Sequence, residues 1–223
     1  MMKHRLSTRL WHWMNAIVIV VLFMSGLNIS NAHRYLYWGN YGFDPADAWA
    51  RVVRFPAWAT IPQRYDLAEA RDWHSLAAWP FALGLLLIWA AMLANGHFRQ
   101  RLSTRPADWT PRAFIASLRA HARGAGDVDS GYSPVQRILY GMVLGVLLPA
   151  MVLTGLAISP GIEPAMPWLV DILGGRQSAR SLHFIAAWGL FGFVVIHVVL
   201  ALTDWRRIGA MVTGGRRKEG IDG

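Results

Sequence analysis

The sequence predicts an all-α integral membrane protein, a single domain of residues 1–223 folded as an up-down-up-down four-helix bundle. Three observations predict this class. Hydrophobic residues make up 54% of the chain, and its mean hydropathy is +0.29. Several runs of about twenty apolar residues are long enough to cross a hydrocarbon core about 30 Å thick as helices. The 22 Lys and Arg residues are divided unequally among the segments that flank these runs.

The four predicted spans cover residues 10–29, 73–94, 138–158 and 181–203. Pro80 and Pro149 lie inside the second and third spans, where proline is tolerated and often produces a kink. The two long connections, residues 31–72 and 95–137, then fall on opposite sides of the membrane. No internal repeat is evident in the sequence.

Charge predicts which side each connection faces. Fifteen of the 22 Lys and Arg residues lie in the N-terminal segment, the 95–137 connection and the C-terminal segment, and the other seven lie in the remaining connections. The positive-inside rule therefore predicts a multi-pass protein of the bacterial cytoplasmic membrane with both termini in the cytoplasm. Because topology accounts for the net charge of +9, we expect the lipid bilayer as a partner and no nucleic acid.

One alternative concerns the N-terminus. Its basic start, the apolar run AIVIVVLFM and the small residues SNA also resemble a cleavable signal peptide. Cleavage would remove His12, although polar Asn15 and the triplet WHW are unusual in such peptides. N-terminal sequencing distinguishes the two cases.

His183 and His197 are the most informative residues, because they lie fourteen positions apart in the fourth span. At about 100° and about 1.5 Å per residue, this spacing puts both on one helical face, about 21 Å apart. Ionisable side chains in a membrane span are costly and indicate function. The chain has no Cys, which excludes covalently attached haem and thiolate-ligated clusters. We therefore expect these imidazoles to be axial ligands of two non-covalent haems.

Depth in the spans predicts how the ligands pair. His74 opens the second span on the outer side, as His183 opens the fourth, whereas His12 and His197 lie near the inner side. We expect His74 with His183 on one haem b and His12 with His197 on the other, the haems lying between the helices. Two imidazoles leave no open position on the iron, which favours electron transfer. For any single histidine, a structural hydrogen bond is the alternative.

Further residues are candidates for contacts with porphyrin and quinone. Gly26 and Gly155 would admit a flat ring, although close helix packing explains a single glycine equally well. Propionates need cationic or amide partners, and lipid headgroups are the alternative partners of these side chains. The candidates are Arg9, Arg71, Arg176, Gln177 and Arg180 for propionates, and Asn15, Asn95 and His97 for a quinone near the inner haem.

The extramembrane segments predict two surfaces. The outer connection, residues 31–72, is rich in Tyr, Trp and Phe. We expect it to cap the outer haem and to dock a periplasmic partner; an interfacial re-entrant segment is the alternative. The inner run TPRAFIASLRAHAR begins with a capping Thr110 and with Pro111 at the first helical position. It predicts a helix on the anionic inner leaflet.

Together these residues resemble a known family. The start RLWHWMNAIVIVVLFMSGLNI, the histidine of the second span and the two histidines of the last span are similar to those of four-helix dihaem cytochrome b subunits. These belong to the bacterial cytochrome b561 and nickel–iron hydrogenase cytochrome b superfamily, with relatives in formate dehydrogenases and thiosulfate reductases. The resemblance implies His12, His74, His183 and His197 as ligands and electron transfer between a peripheral redox partner and quinone. NAHRYLYWGNYG and VDILGGRQSARSLHF resemble members with molybdopterin-containing, sulfite-oxidase-like partners.

The sequence thus predicts a membrane dihaem b cytochrome that carries electrons between a periplasmic redox subunit and the quinone pool. One alternative is a stand-alone oxidoreductase that passes electrons from superoxide or another small donor to quinone. Another is a haem-free transporter or assembly scaffold. A homo-oligomer is left open, and so is whether the chain counts as an enzyme by itself.

Overall fold

The structure is a computed structural model that describes residues 6–96, 110–122, 134–202 and 205–214. The helices within these ranges are α1 Leu6–Ala32, α2 Leu67–Ala94, α3 Pro111–Ala122, α4 Pro134–Met142, α5 Leu148–Ile158, α6 Pro167–Ile172, α7 Arg176–Leu202 and α8 Trp205–Thr213. Four stretches are long and apolar enough to cross a membrane, namely Thr8–Ala32, Leu67–Ala94, Ile138–Ile158 and Arg176–Leu202. The predicted all-α membrane class is confirmed.

All four membrane helices begin earlier than predicted: α1 begins at Leu6 rather than at residue 10, and α4 at Pro134 rather than at residue 138. Helix α2 begins at Leu67 rather than at residue 73, and α7 begins at Arg176 rather than at residue 181. Hydropathy marks the apolar part of a helix, whereas a helix starts where its first N–H groups find acceptors. For α2 that acceptor is Asp66 Oδ1, which lies 3.0 Å from the Glu69 nitrogen. The predicted end of the fourth span, residue 203, lies outside the described residues.

Two glycines allow α7 to begin at its observed position. Gly174 and Gly175 have φ angles of +78° and +107°, a region that glycine enters without a Cβ clash. The backbone N–H groups of Gln177 and Ser178 then donate to the carbonyl oxygen of Gly39, at 2.9 and 3.1 Å. The run 176–180, predicted as part of a connection, is therefore the start of the helix that carries His183.

The third span is interrupted near its proline. Helix α4 passes into a π-helical segment, Val143–Leu147, before α5 starts at Leu148. Pro149 has no N–H to donate to the carbonyl group four residues earlier, so the regular helix cannot continue unchanged there. Pro80, by contrast, lies within the continuous helix α2.

The outer connection contains short regular elements. Strands β1 Tyr35–Leu36 and β2 Ala50–Arg51 pair antiparallel, and two 3-10 helices, Pro45–Asp47 and Ala57–Ala59, follow β1 and β2 respectively. Two asparagines at the end of α1 bind the connection through its backbone. The Asn31 side chain exchanges two hydrogen bonds with Phe55, and Asn28 Nδ2 donates to the Arg64 carbonyl oxygen at 2.7 Å. Asn28 is 2% exposed, so its amide depends on these backbone partners.

Packing divides the chain into two compact units. Unit one comprises Met1–Leu36, Asp44–Phe81 and Phe191–Gly223, and unit two comprises Tyr37–Phe43 and Ala82–Leu190. Unit two has an apolar core where α5, α6 and the start of α7 meet, formed by Ala157, Leu169, Val170 and Ala179. In the same unit, the buried Ser181 hydroxyl donates to the Tyr37 carbonyl oxygen at 2.7 Å.

Two shorter helices lie on segments predicted to face the cytoplasm. Thr110 Oγ1 accepts the Ala113 N–H at 3.3 Å, which confirms the predicted capping role of Thr110 at the start of α3. Helix α8 was not predicted, because a helix of 9 residues that begins Trp-Arg-Arg lacks a long apolar run.

Candidate functional site

The predicted inner pair of histidines meets within unit one. His12 projects from α1 and His197 from the last turns of α7, and their ring centroids are 6.1 Å apart with an interplanar angle of 61°. A metal–imidazole bond of about 2 Å puts each ring centroid about 3 Å from the metal, so two trans imidazoles have centroids about 6 Å apart. The separation of these two rings therefore fits two axial ligands of one metal ion.

Aromatic side chains surround this pair. The Phe193 ring stacks beside His197, with centroids 6.0 Å apart and 20° between the planes, and Trp13 makes an edge contact with His12 at 5.4 Å. Further from the predicted inner side, Phe23 and Phe191 stack at 4.4 Å. The flat, apolar aromatic rings beside His12 and His197 would suit contact with a porphyrin.

His74 contacts a buried serine of α1. Its Nδ1 lies 2.9 Å from Ser25 Oγ, and the same hydroxyl lies 2.7 Å from the Val21 carbonyl oxygen in the preceding turn. Ser25 is 0% exposed. A hydroxyl has one proton, so when it donates to Val21 its oxygen accepts from the imidazole N–H.

His183 has the same environment within unit two. Its Nδ1 lies 2.8 Å from Thr154 Oγ1, and that hydroxyl bonds the Ala150 carbonyl oxygen of α5. Thr154 is 2% exposed. Hydroxyl partners of this kind hold an imidazole in one orientation and one tautomer.

The two predicted haem glycines lie against these imidazoles. A Cβ added to Gly26 would lie 3.6 Å from His74 Cε1, and one added to Gly155 would lie 3.5 Å from His183 Cε1. Both distances are ordinary van der Waals contacts. Each glycine therefore brings a helix backbone close to the ring edge of a predicted ligand.

The candidate propionate residues of unit one have protein partners. The Arg9 guanidinium donates to the Met211 and Val212 carbonyl oxygens at the end of α8, where a cation stabilises the helix. Arg71 Nη2 lies 3.2 Å from His33 Nε2. An arginine has five N–H donors, so these contacts are compatible with a further acidic partner.

The candidates of unit two lie together at the start of α7. Arg176 pairs with Glu163 and donates to the Ile158 carbonyl oxygen at 3.2 Å. Arg180 Nη1 donates to Gln177 Oε1 at 2.9 Å. The start of α7 therefore presents two guanidinium groups, and Glu163 balances the charge of Arg176.

The structure describes two of the three quinone candidates. Asn15 Nδ2 donates to the Trp11 carbonyl oxygen of its own helix at 2.9 Å. Asn95 follows the end of α2 and its backbone N–H donates to Ala91. His97 lies outside the described residues.

The outer connection exposes large aromatic side chains. In unit one Trp58 is 75% exposed, and in unit two Tyr41 and Phe43 are 77% and 87% exposed.

The same connection holds an acidic residue with a lowered pKa. In unit one the Asp66 carboxylate accepts a hydrogen bond from the Glu69 backbone N–H, which, with the charge of Arg64, lowers the pKa of Asp66 from its usual value. This carboxylate therefore stays charged in mildly acidic solution.

Ser25 and Thr154 were not among the predicted site residues. Each immediately precedes a glycine that was predicted, in the dipeptides Ser25-Gly26 and Thr154-Gly155. A hydroxyl residue beside a glycine in an apolar span is a signal that the sequence contains. It became specific only when the structure placed each hydroxyl beside a histidine.

Comparison with known proteins identifies the family. The profile of prokaryotic cytochrome b561 matches residues 3–214. The chain is 28% identical over 208 residues to YedZ1 of Azospira oryzae, named as a protein-methionine-sulfoxide reductase subunit, covering 92% of this chain and 93% of the relative. It is 28% identical over 210 residues to a protein of Cupriavidus necator named as a Ni/Fe-hydrogenase B-type cytochrome subunit, covering 88% and 76%.

A more distant relative is the cytochrome YdhU of Escherichia coli, 26% identical over 204 residues, with 85% of this chain and 65% of the relative covered. No solved structure matches the chain significantly. The family match spans nearly the whole described chain, including all four helices that could cross a membrane. The chain belongs to the prokaryotic cytochrome b561 family and is a membrane cytochrome that carries electrons on b-type haem.

Proposed function

We propose that this cytochrome holds two non-covalent haems b and carries electrons across the cytoplasmic membrane, between a periplasmic redox subunit and the quinone pool. His12 and His197 ligate the inner haem, and His74 and His183 the outer haem. Both termini face the cytoplasm, as the distribution of Lys and Arg indicates.

The observation that carries this proposal is the 6.1 Å separation of the His12 and His197 rings, which would allow both imidazoles to hold one iron. The outer pairing rests on the similar depth of His74 and His183 at the start of their spans. It is supported by the hydroxyl partner that each of these imidazoles has at Nδ1, since a metal-bound histidine usually donates its other N–H.

Iron with two imidazole ligands exchanges single electrons and offers no open position to a substrate. The role of the protein is therefore to bind and orient the haems and to balance the charge of their propionates. Arg9 on the inner side, and Arg71, Arg176, Gln177 and Arg180 on the outer side, supply the donors for propionates. Gly26 and Gly155 let the helices approach the ligand rings closely.

The partner is proposed from the relatives and from the outer surface. The relatives in Azospira and Cupriavidus are named as subunits of a reductase and of a hydrogenase. The exposed aromatic residues of the outer connection suit the docking of a protein. We assign the partner to the periplasm and favour a molybdopterin enzyme. On the inner side, Asn15, Asn95 and His97 are the proposed contacts of the quinone.

A haem count and a redox titration of the purified protein test the ligand assignment. We expect two haems b per chain and two reduction waves. His12→Ala and His197→Ala should each remove the same wave, and His74→Ala and His183→Ala the other. His33→Ala is the matched control and should retain both haems, since His33 lies in the outer connection, after the end of α1. Wild-type protein without reducible Soret and α bands, or a His197→Ala variant with two intact waves, would overturn the proposal.

A further inference from the structure

We infer that Ser25 and Thr154 are positioning residues that fix the tautomer and the ring orientation of His74 and His183. Each hydroxyl holds its imidazole with the proton on Nδ1, so that Nε2 presents its lone pair to the iron. This inference rests on the proposed ligation of haem by these two histidines. It adds two residues that act through a ligand and do not touch the iron.

The first hydroxyl is oriented by its own helix. Ser25 Oγ lies 2.7 Å from the Val21 carbonyl oxygen and 3.1 Å from that of Leu22, one turn before it on α1. Its single proton points along the helix toward these acceptors. The lone pair that remains faces His74 Nδ1 at 2.9 Å, so the ring nitrogen is the donor in this contact.

The second hydroxyl repeats this arrangement on another helix. Thr154 Oγ1 has the Ala150 carbonyl oxygen as its near acceptor and the Met151 carbonyl oxygen at 3.4 Å. His183 Nδ1 lies 2.8 Å from it. Because the same geometry arises from a serine on α1 and a threonine on α5, the shared requirement is the hydroxyl and not the rest of the side chain.

Burial makes each hydroxyl a strong constraint. Ser25 and Thr154 are 0% and 2% exposed, so an imidazole that turned away would leave polar groups without water to replace the lost partner. The neighbouring glycine lets the helix backbone lie close to each ring, because a Cβ added at Gly26 or Gly155 would lie 3.6 or 3.5 Å from Cε1 of the same ring. The hydroxyl at Nδ1 and the glycine beside Cε1 thus lie along the same edge of each ring.

The test removes each hydroxyl and measures the haem rather than turnover. In Ser25→Ala and Thr154→Val we expect the affinity for haem at the altered site to fall about 10- to 100-fold, as for other partners of ligand histidines. The midpoint potential of one haem should rise, because an imidazole without its N–H acceptor donates less electron density to ferric iron. The low-field EPR signal of that haem should shift or broaden as the ring gains freedom.

Matched controls remove buried hydroxyls that do not contact a histidine. The Ser178 hydroxyl also donates to the carbonyl oxygen four residues earlier, that of Gly174, and the Thr60 hydroxyl bonds the carbonyl oxygens of Ala57 and Pro62. Ser178→Ala and Thr60→Val should leave both potentials and both EPR signals unchanged. Thr154→Ser, which keeps the hydroxyl, should restore the wild-type potential.

Two further outcomes keep the inference separate from the ligand assignment. If wild-type protein holds two haems but Ser25→Ala and Thr154→Val match their controls in potential and EPR signal, the inference is wrong while the proposed function stands. If wild-type protein binds no haem b, the proposed function fails first. Should the alanine and valine variants not accumulate, Ser25→Cys keeps the size of the side chain but is a weak acceptor. It should still raise one potential, and an unchanged potential would overturn the inference.

Discussion

At the residue scale, the space beside Gly26 limits the size of the side chain that can stand next to His74. A Cβ there would meet His74 Cε1 at 3.6 Å, an ordinary contact, so Gly26→Ala should keep both haems. Gly26→Leu should displace the imidazole, because overpacking of this kind costs about 1–3 kcal/mol. Because this cost applies to the haem-bound state, we expect the affinity for haem to fall about 5- to 150-fold. A haem titration of the purified variants measures it.

The control for this substitution is Gly161→Leu, since a Cβ at Gly161 would meet nothing within 4 Å. It should bind two haems with wild-type affinity. If Gly26→Leu did the same, the close approach of α1 to His74 would have no role in haem binding.

Single residues also show how much of the candidate site can be predicted from the sequence. The four histidines, Gly26 and Gly155 could be selected because an ionisable or a small residue stands out in an apolar span. Ser25 and Thr154 could not, because a hydroxyl that bonds its own helix is common in membrane helices and carries no signal of its partner. The partner is set by which helix packs beside it, and that is a property of the tertiary fold.

At the scale of the element, the start of α2 depends on one carboxylate. Asp66 Oδ1 accepts the Glu69 N–H at 3.0 Å, and this bond, with the charge of Arg64, lowers the pKa of Asp66 below its usual value. A lowered folded pKa means that the cap stabilises the helix above the unfolded pKa and is lost as pH falls through the folded value. We therefore expect the Glu69 amide to be protected from hydrogen exchange at neutral pH and to lose protection below about pH 4.

Asp66 variants separate the charge from the hydrogen bond. Asp66→Ala should expose the Glu69 amide to exchange at every pH, because no acceptor remains. Asp66→Asn retains an acceptor and should lose the acid transition. The Asp66 carboxyl would not be the cap if Asp66→Ala left the exchange of the first turn of α2 unchanged.

The observed ends of the helices agree with the predicted ends where hydropathy determines them, and they differ where capping determines them. The third span ends at Ile158, as predicted, where its apolar run ends. Helices α2 and α7 begin earlier because Asp66 and the Gly39 carbonyl oxygen satisfy their first N–H groups. The second of these acceptors lies more than 130 residues from α7 along the chain, counting 39 against 177. No local pattern predicts such a partner.

At the scale of the whole molecule, the positive-inside rule predicts which face lies toward the cytoplasm. The chain has no cysteine, so a single introduced thiol reports one position without background. Ala46→Cys, in an exposed 3-10 helix of the outer connection, should react with a membrane-impermeant maleimide in intact spheroplasts. Ala116→Cys, exposed on α3, should react only after the membrane is opened.

Both variants should react equally in detergent, which controls for accessibility. The reverse pattern, with residue 116 labelled from outside, would invert the topology and place the His12 and His197 pair on the periplasmic side. That result would leave the ligand assignments unchanged, but it would place the partner on the cytoplasmic side and the quinone site near the periplasmic side.

The hydroxyl–glycine–histidine arrangement occurs in both compact units, as Ser25, Gly26 and His74 in the first and as Thr154, Gly155 and His183 in the second. No repeat is evident in the sequence, so the resemblance is one of local geometry formed by three residues. Such an arrangement is small enough to graft. Placed on two neighbouring helices of an unrelated bundle, it would specify where an imidazole sits and which of its nitrogens faces inward, and it offers protein designers a template for a buried ligand that needs no charged partner.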